Sequence, residues 1–183
     1  MKKVYVFLAE GFELLEAMAP VDVLRRCGAE LKTISLNENL FVKSAQGVEV
    51  KADANIDEIN LLDGDVLIIP GGYPGYINLR ENKKVVNLLK KYLEDNKIVG
   101  AICGGPTIFS YNNIANGINL TAHSSTKEDF KEKYNYTGEN ICVDKNIVTS
   151  IGAGHAVGFA FEIAKKLFDN ETITKVKKGM ELI

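Results

Sequence analysis

Near the middle of the chain the sequence reads Ile98-Val99-Gly100-Ala101-Ile102-Cys103-Gly104-Gly105-Pro106. Its first five residues are apolar throughout, which is typical of a parallel strand that is covered on both faces. The two glycines favour a tight turn, and Pro106 suits the first turn of a helix because no amide donor is needed there. The stretch therefore predicts a buried strand, a sharp corner at Cys103 and a helix.

A cysteine at such a corner is a candidate nucleophile. Its sulfur would project from the carboxyl end of the sheet, as the serine does in the nucleophile elbow of α/β-hydrolases. The positive end of the following helix favours the thiolate, so we expect the pKa of Cys103 to lie below its ordinary value. The alternative is a small buried hydrophobic residue, the commonest role of a free cysteine. The spacing Gly-x-x-Cys-Gly-Gly favours the chemical role.

Length and composition indicate one globular domain over residues 1–183. A net charge of −2 and the lack of a basic block argue against nucleic acid or an anionic membrane as a partner. No apolar stretch approaches the length of a membrane span, and the N-terminus lacks a signal-peptide pattern. Cys27, Cys103 and Cys142 have no CxxC spacing. We therefore expect a cytoplasmic protein with neither a disulfide framework nor a metal site, in which Cys27 and Cys142 are packing residues.

Strand patterns alternate with helical patterns along the chain. Apolar runs predict strands at residues 4–9, 31–36, 65–69, 98–102 and 120–123. Helices are predicted at residues 14–27, 85–92, 107–115, 127–133, 155–168 and 172–180, and hairpins at 41–52 and 141–150. This alternation predicts an α/β fold with a doubly wound, mostly parallel sheet, helices on both faces and a small β-hairpin.

Two glycine-containing turns differ from the usual nucleotide-binding patterns. The turn after the first strand holds one glycine among Glu10, Glu13 and Glu16, whose charges would repel a pyrophosphate. No Gly-Lys-Ser/Thr follows Gly71 and Gly72, so they do not form a Walker loop. These glycines instead let backbone amides approach a ligand closely. We therefore expect a ligand pocket here but no cofactor.

Several polar or reactive residues follow predicted strands and are expected at one edge of the sheet. They are Glu16, Gly72, Cys103, His123 and His155. In doubly wound folds the active site lies beyond the carboxyl ends of the strands, near the point where the strand order reverses. The sequence therefore predicts one site that these residues share.

The same motifs resemble the ThiJ/PfpI superfamily, also called DJ-one/PfpI, and particularly its branch of the parkinsonism-associated protein deglycase. The matching segments follow the family's order over nearly the whole chain, at residues 8–16, 20–26, 65–72, 101–107, 120–123 and 149–161. The resemblance implies a flavodoxin-like fold, similar to that of class I glutamine amidotransferases. It also implies a homodimer to which the first helix contributes.

The resemblance implies a role for each matching residue. Cys103 matches the reactive cysteine, and Glu16 matches a protonated glutamate that donates a hydrogen bond to the thiolate. Gly72 and Gly104 match positions whose backbone amides form an oxyanion hole. His123 matches a nearby histidine. The alternatives are a helix-terminal carboxylate for Glu16 and a half-buried residue at a strand end for His123.

The sequence also departs from the family pattern. Gly104 stands where the peptidase-like branch has a histidine, which argues against peptidase chemistry. Residues 45–47 and Ile151 stand where the deglycase branch has arginines, so an anionic substrate group would meet fewer cations here. His155, at a threonine position, either adds polarity to the pocket beside Gly71 or caps a helix.

Two functions follow from the resemblance. The first is a cofactor-independent enzyme that acts on small reactive dicarbonyls such as methylglyoxal, as a glyoxalase-type lyase, or on early glycation adducts of side chains, as a deglycase hydrolase. The alternative is a redox sensor or stress-response chaperone in which Cys103 is oxidised to sulfinic acid. A role in thiamine-precursor metabolism, suggested by the ThiJ name, has no residue in its support.

Overall fold

Seven strands form the central sheet of the computed structural model, which describes residues 1–183. In spatial order they are β10 (Ile141–Asp144), β11 (Ile147–Ser150), β7 (Ile98–Ile102), β6 (Val66–Ile69), β1 (Lys3–Leu8), β2 (Glu30–Ser35) and β5 (Ala54–Asn55). All neighbours pair in parallel except β10 and β11, which are antiparallel. The prediction of a mostly parallel sheet is confirmed.

Helices cover both faces of this sheet. One face carries α1 (Leu14–Arg26), α5 (Ala156–Lys165) and α6 (Asn170–Gly179), and the other carries α2 (Gly75–Glu81), α3 (Lys83–Glu94) and α4 (Thr107–Tyr111). Each face buries its own apolar core of 24 residues. The sheet strands alternate between the two cores, which explains why they are apolar throughout. None of the helices combines the length and the apolar character that a membrane crossing requires.

Two smaller strand pairings and two 3-10 segments lie outside the central sheet and its helices. The hairpin predicted at residues 41–52 is confirmed as β3 (Phe41–Lys43) and β4 (Glu49–Lys51). A separate two-stranded parallel sheet contains β8 (Asn119–Leu120) and β9 (Asn135–Tyr136). Two 3-10 segments span Ser124–Phe130 and Ala153–His155.

Three local predictions are wrong. The strand expected at 120–123 ends at Leu120, because the Thr121 amide donates to the side-chain oxygen of Thr149 at 2.9 Å and not to the backbone carbonyl of a neighbouring strand. The helix expected at 107–115 ends at Tyr111, and left-handed φ angles of 52° and 55° at Asn113 and Ala115 follow it. The helix expected at 127–133 is the 3-10 segment Ser124–Phe130.

The strand order brings the carboxyl ends of β11, β7, β6 and β1 side by side. From β1 the chain builds the sheet outward through β2 on one side, and it then returns to β6 on the other. The order therefore reverses between β1 and β6, where α/β folds place their ligand crevice.

Candidate active site

Cys103 lies directly after β7, in a backbone conformation that is unusual for a residue with a side chain. Its φ is 62°, in the left-handed region. Two backbone hydrogen bonds hold it there: its amide donates to the carbonyl of Ser150, and its carbonyl accepts from the amide of His123, both at 2.9 Å. Strained conformations of this kind persist when their surroundings fix them, and they cluster at functional sites. The predicted corner is therefore present.

Glu16 reaches the corner from the first turn of α1. The side chain of Glu13 caps this helix by accepting a hydrogen bond from the Glu16 amide at 2.8 Å. The Glu16 side chain is only 1% exposed, and its Oε2 accepts from the amide of Gly71 at 2.8 Å. The backbone amide of Ala153 and the side chain of Cys103 also lie close enough to the carboxyl group to lower its pKa against the effect of burial. The structure therefore places Glu16 beside Cys103.

The glycines after β6 leave no room for a larger side chain. A Cβ atom at Gly71 would lie 2.6 Å from Oε2 of Glu16 and 2.7 Å from Cβ of Cys103. Gly72 has a φ of 88°, and a Cβ atom there would lie 2.2 Å from the amide nitrogen of Glu13. The close approach of β6 to both reactive side chains thus depends on glycine.

Two backbone amides, those of Gly72 and Gly104, lie near the sulfur of Cys103 and favour the charged form of the thiol. Donors in this position would also surround an oxygen on a carbon atom bonded to the sulfur. The structure therefore brings together all four of the central predicted groups, namely Cys103, Glu16, Gly72 and Gly104.

The charge state of the pair differs from the expectation. Burial, opposed by hydrogen bonds from Cys103 and from the backbone amides, raises the pKa of Glu16 to about 7. Burial and then the charge of Glu16 raise the pKa of Cys103 to about 12, so the lowered pKa predicted for this thiol is wrong while Glu16 is ionised. The expectation rested on the positive end of the following helix and on a hydrogen bond from Glu16, and it left out the desolvation of the corner.

The two groups titrate as a coupled pair, so these pKa values describe successive losses of two protons. At pH values between these two pKa values, the pair holds one proton and one negative charge. When that proton lies on Glu16, the carboxyl group donates to the sulfur and Cys103 is a thiolate. The arrangement therefore supplies a nucleophile and an acid in a single protonation state.

His123 lies at the rim of the site and not inside it. Its side chain is exposed, and its Nδ1 is 2.8 Å from the hydroxyl oxygen of Ser125. Its backbone is tied to Cys103, and a Cβ atom at Gly152 would lie 3.9 Å from both its Cδ2 and Oε1 of Glu16. His123 therefore borders the pair across Gly152, although no strand of the central sheet delivers it.

His155 is half-buried at the end of the second 3-10 segment and makes no side-chain cap hydrogen bond to α5. The turn instead places the backbone amide of Ala153 beside the carboxyl group of Glu16, a role that no sequence pattern indicated.

No group of three or more His, Cys, Asp or Glu side chains is arranged to hold a metal ion. Cys27 and Cys142 are buried, as predicted, and burial raises the pKa of each thiol.

The architecture is an α/β flavodoxin-like fold with a cysteine at a strand-to-helix corner. The DJ-1/PfpI family model matches residues 2–166. The chain therefore belongs to the DJ-1/PfpI family, as the sequence resemblance indicated.

Two relatives and one solved structure extend this result. The protein dj-1beta of Drosophila melanogaster is 33% identical over 180 residues, covering 98% of this chain and 96% of that protein. The crystal structure of Drosophila melanogaster DJ-1beta has a TM-score of 0.94 and covers 98% of this chain and 97% of that one, at 32% identity. The glutathione-independent glyoxalase DJR-1.2 of Caenorhabditis elegans is 31% identical over 93% of this chain and 91% of its own length.

Proposed function

We propose that the chain is an enzyme that converts small dicarbonyl compounds such as methylglyoxal into hydroxy acids, without a cofactor. The observation that carries this proposal is the placement of the buried Glu16 carboxyl group beside Cys103, with both side chains in close contact with Gly71. The name of the Caenorhabditis elegans relative, a glutathione-independent glyoxalase, supports the same reaction class.

The first step is addition of the Cys103 thiolate to the aldehyde carbon of methylglyoxal. A carbon–sulfur bond forms, and the electron pair of the carbonyl moves to its oxygen. The amides of Gly72 and Gly104 stabilise this oxyanion, because they lie near the sulfur to which it becomes linked and already favour negative charge there. Glu16 then supplies its proton to the oxygen, which gives a neutral hemithioacetal and a carboxylate.

The second step is an isomerisation within the hemithioacetal. The Glu16 carboxylate removes the proton from the carbon that bears the sulfur, and a proton is returned to the neighbouring carbon through the enediol. The former aldehyde carbon becomes oxidised to a thioester while the ketone becomes an alcohol, so no external oxidant or reductant is needed. Water then hydrolyses the thioester to lactate and restores the thiol. A pKa of about 7 suits Glu16 to accepting and donating protons near neutrality.

Early glycation adducts are a related substrate class. In the deglycase reaction Cys103 attacks the adduct carbon, and the bond from that carbon to the cysteine sulfur or to the lysine or arginine nitrogen breaks. Glu16 gives its proton to the released group, and the hemithioacetal left on Cys103 then reacts as described above. The exposed His123 and Ser125 leave the rim of the site open on that side, which supports access for an attached group.

Lactate formation from methylglyoxal tests the proposal. Cys103→Ala removes the nucleophile, so turnover should fall to the uncatalysed background. Glu16→Gln keeps the size of the side chain but cannot exchange a proton, so kcat/KM should fall by roughly 10²–10⁴-fold. Cys142→Ala is the matched control, because it removes a buried thiol from β10, outside the site.

The control should retain turnover, and circular dichroism should show that all three variants are folded. Full activity in Cys103→Ala or in Glu16→Gln would refute the mechanism. Absence of lactate from the wild-type protein would refute the methylglyoxal substrate.

A redox role is the second candidate, and it is supported by the different exposure of the three cysteines. Cys103 is partly exposed, whereas Cys27 and Cys142 are buried. Mild peroxide should therefore add two oxygen atoms to Cys103, giving a sulfinic acid, and spare the other two. Intact and peptide mass spectrometry measure this directly. A sensor without the enzyme activity would show this oxidation and no lactate.

The assembly and location of the chain stay predictions. We propose a homodimer in the cytoplasm, with α1 in the interface. Leu15 on α1 is 57% exposed in the single chain, which supports a contact there. Analytical ultracentrifugation of the wild-type protein and Leu15→Glu should show a dimer that the substitution weakens.

A further inference from the structure

A cleft of about 390 Å³ opens beside the candidate active site. Side chains from α2, α4 and the 3-10 segment Ser124–Phe130 line it, and most of them are polar. We call it the arginine cleft, and we define it by Tyr76, Arg80, Tyr111, Ser125 and Asp129. The mechanism proposed above uses none of these residues.

The guanidinium group of Arg80 is held between two aromatic rings. Its central carbon lies 5.4 Å from the ring centroid of Tyr76 and 4.7 Å from that of Tyr111. Such contacts stabilise a cation without using its N–H donors. Arg80 forms no ion pair with any carboxylate, and its buried Nε has no hydrogen-bond partner. Its two terminal nitrogens are neither buried without a partner nor hydrogen-bonded within the chain, so Arg80 is a positioned cation whose terminal donors are available to a ligand.

The arginine cleft adjoins the reactive pair on two sides. The ring of Tyr76 packs against Gly104, where a Cβ atom would lie 2.7 Å from it, and the amide of Gly104 lies near the sulfur of Cys103. On the other side, the hydroxyl of Ser125 contacts the ring of His123 at the rim of the site. A substrate bonded to Cys103 can therefore extend into the cleft over either residue.

The charges in the cleft restrict which ligand fits. Arg80 suits a carboxylate, which its planar guanidinium can bind through two parallel hydrogen bonds. Asp129, which is exposed and not paired with Arg80, adds a negative charge at the cleft wall. A ligand with several negative charges is therefore disfavoured, whereas a single carboxylate is not. The hydroxyl of Ser125 offers a further polar contact.

We propose that the arginine cleft is a substrate subsite in which Arg80 binds a carboxylate on the leaving group of the adduct while the adduct carbon that Cys103 attacks lies at its sulfur. This inference rests on the proposed function and narrows its substrate class. The favoured substrates are dicarbonyl adducts of amino acids or of thiols that carry one carboxylate. The sequence lacks arginines at residues 45–47 and 151, where the deglycase branch has them. Arg80 thus supplies a positive charge to the site from a different position.

The test compares two substrates that differ only in charge. These are the methylglyoxal hemithioacetals of N-acetylcysteine and of N-acetylcysteine amide, supplied at matched concentrations of free methylglyoxal. Wild-type protein should prefer the carboxylate by about tenfold in kcat/KM, as expected for a charge-assisted hydrogen bond. Arg80→Gln should reduce this ratio to about one, and Arg80→Lys should retain part of it because the charge remains.

Arg26→Gln is the matched control, because it makes the same chemical change on α1, where Arg26 pairs with Asp22. It should keep the tenfold ratio. Equal use of the two substrates by the wild-type protein would overturn the subsite, as would a preference that survives in Arg80→Gln.

A binding measurement separates this inference from the proposed function. If neither hemithioacetal is turned over, the proposed function fails, and the subsite is then judged with the unreactive ligands S-methyl-N-acetylcysteine and its amide. Tighter binding of the carboxylate that is lost in Arg80→Gln, observed by NMR titration, would support the subsite. Equal binding of the two ligands, or no binding of either, would overturn it.

Discussion

The corner at Cys103 and the arginine cleft lie side by side, yet different parts of the chain build them. At the corner, backbone hydrogen bonds fix Cys103, and the glycine at position 71 leaves no room for a Cβ atom. In the cleft, Tyr111 is 54% exposed and Arg80 is held only by ring contacts. The position of the nucleophile therefore depends on the backbone, whereas the shape of the neighbouring subsite depends on a few replaceable side chains.

The largest effect is expected from Gly71→Ala, which breaks the corner and leaves the cleft intact. The new Cβ atom would strike both Oε2 of Glu16 and Cβ of Cys103, although the amide that donates to Glu16 is retained. Displacement of reacting groups by about 1 Å typically costs roughly 100-fold in rate. We therefore expect kcat/KM with methylglyoxal to fall by roughly 100-fold or more.

Gly179→Ala, at the end of α6, is the control for this prediction, because a Cβ atom there meets nothing within 4 Å. It should leave the rate unchanged. The alkylation rate of Cys103 by iodoacetamide should change in Gly71→Ala only. Equal rates in the two variants would show that the corner tolerates more movement than its geometry implies.

The same division explains which features the sequence could predict. The corner is local: a buried strand, a cysteine, two glycines and a proline are adjacent in the chain, so turn chemistry indicates it directly. The position of Glu16 after the first strand predicted that it lies at the same edge of the sheet, whereas its pairing with Cys103 was predicted only from the resemblance to a family motif. The sheet followed from apolar strands that alternate with helical patterns.

The cleft could not be predicted in this way. Tyr76 and Arg80 are four residues apart, a helical spacing, but α2 itself was not predicted because it begins just after Pro74 in a glycine-rich turn. Tyr111 comes from a different helix, and only the fold brings it to Arg80. The lowered pKa predicted for Cys103 is wrong while Glu16 is ionised for a similar reason, since the burial of the corner depends on the whole chain.

A smaller effect is expected from the burial of Glu16, which should make stability depend on pH. Burial raises its pKa from 4.5 to about 7, so between these values the folded protein binds more protons than the unfolded chain. The stability that Glu16 contributes is therefore complete at low pH and is lost as pH rises through about 7. Glu16→Gln cannot titrate. Relative to this variant, the wild-type protein should lose about 2–3 kcal/mol between pH 5 and pH 8.

Urea unfolding of both proteins at pH 5 and pH 8 measures this loss. All other titrating groups are common to the two proteins, so their contributions cancel in the difference to the extent that they do not interact with Glu16. A difference that stays constant with pH would mean that Glu16 is ionised throughout this range, and the proton exchange proposed for it would then fail.

The smallest effect is expected at His123, which joins the two regions. Its backbone amide supports the carbonyl of Cys103, whereas its exposed ring contacts Ser125 in the arginine cleft. His123→Ala keeps the amide and removes only the ring, so kcat/KM with methylglyoxal should fall by less than about tenfold. A general acid or base would contribute 10²–10⁴-fold. A loss in that larger range would place His123 in the proton transfers beside Glu16. Its ring would then belong to the catalytic corner and not only to the arginine cleft.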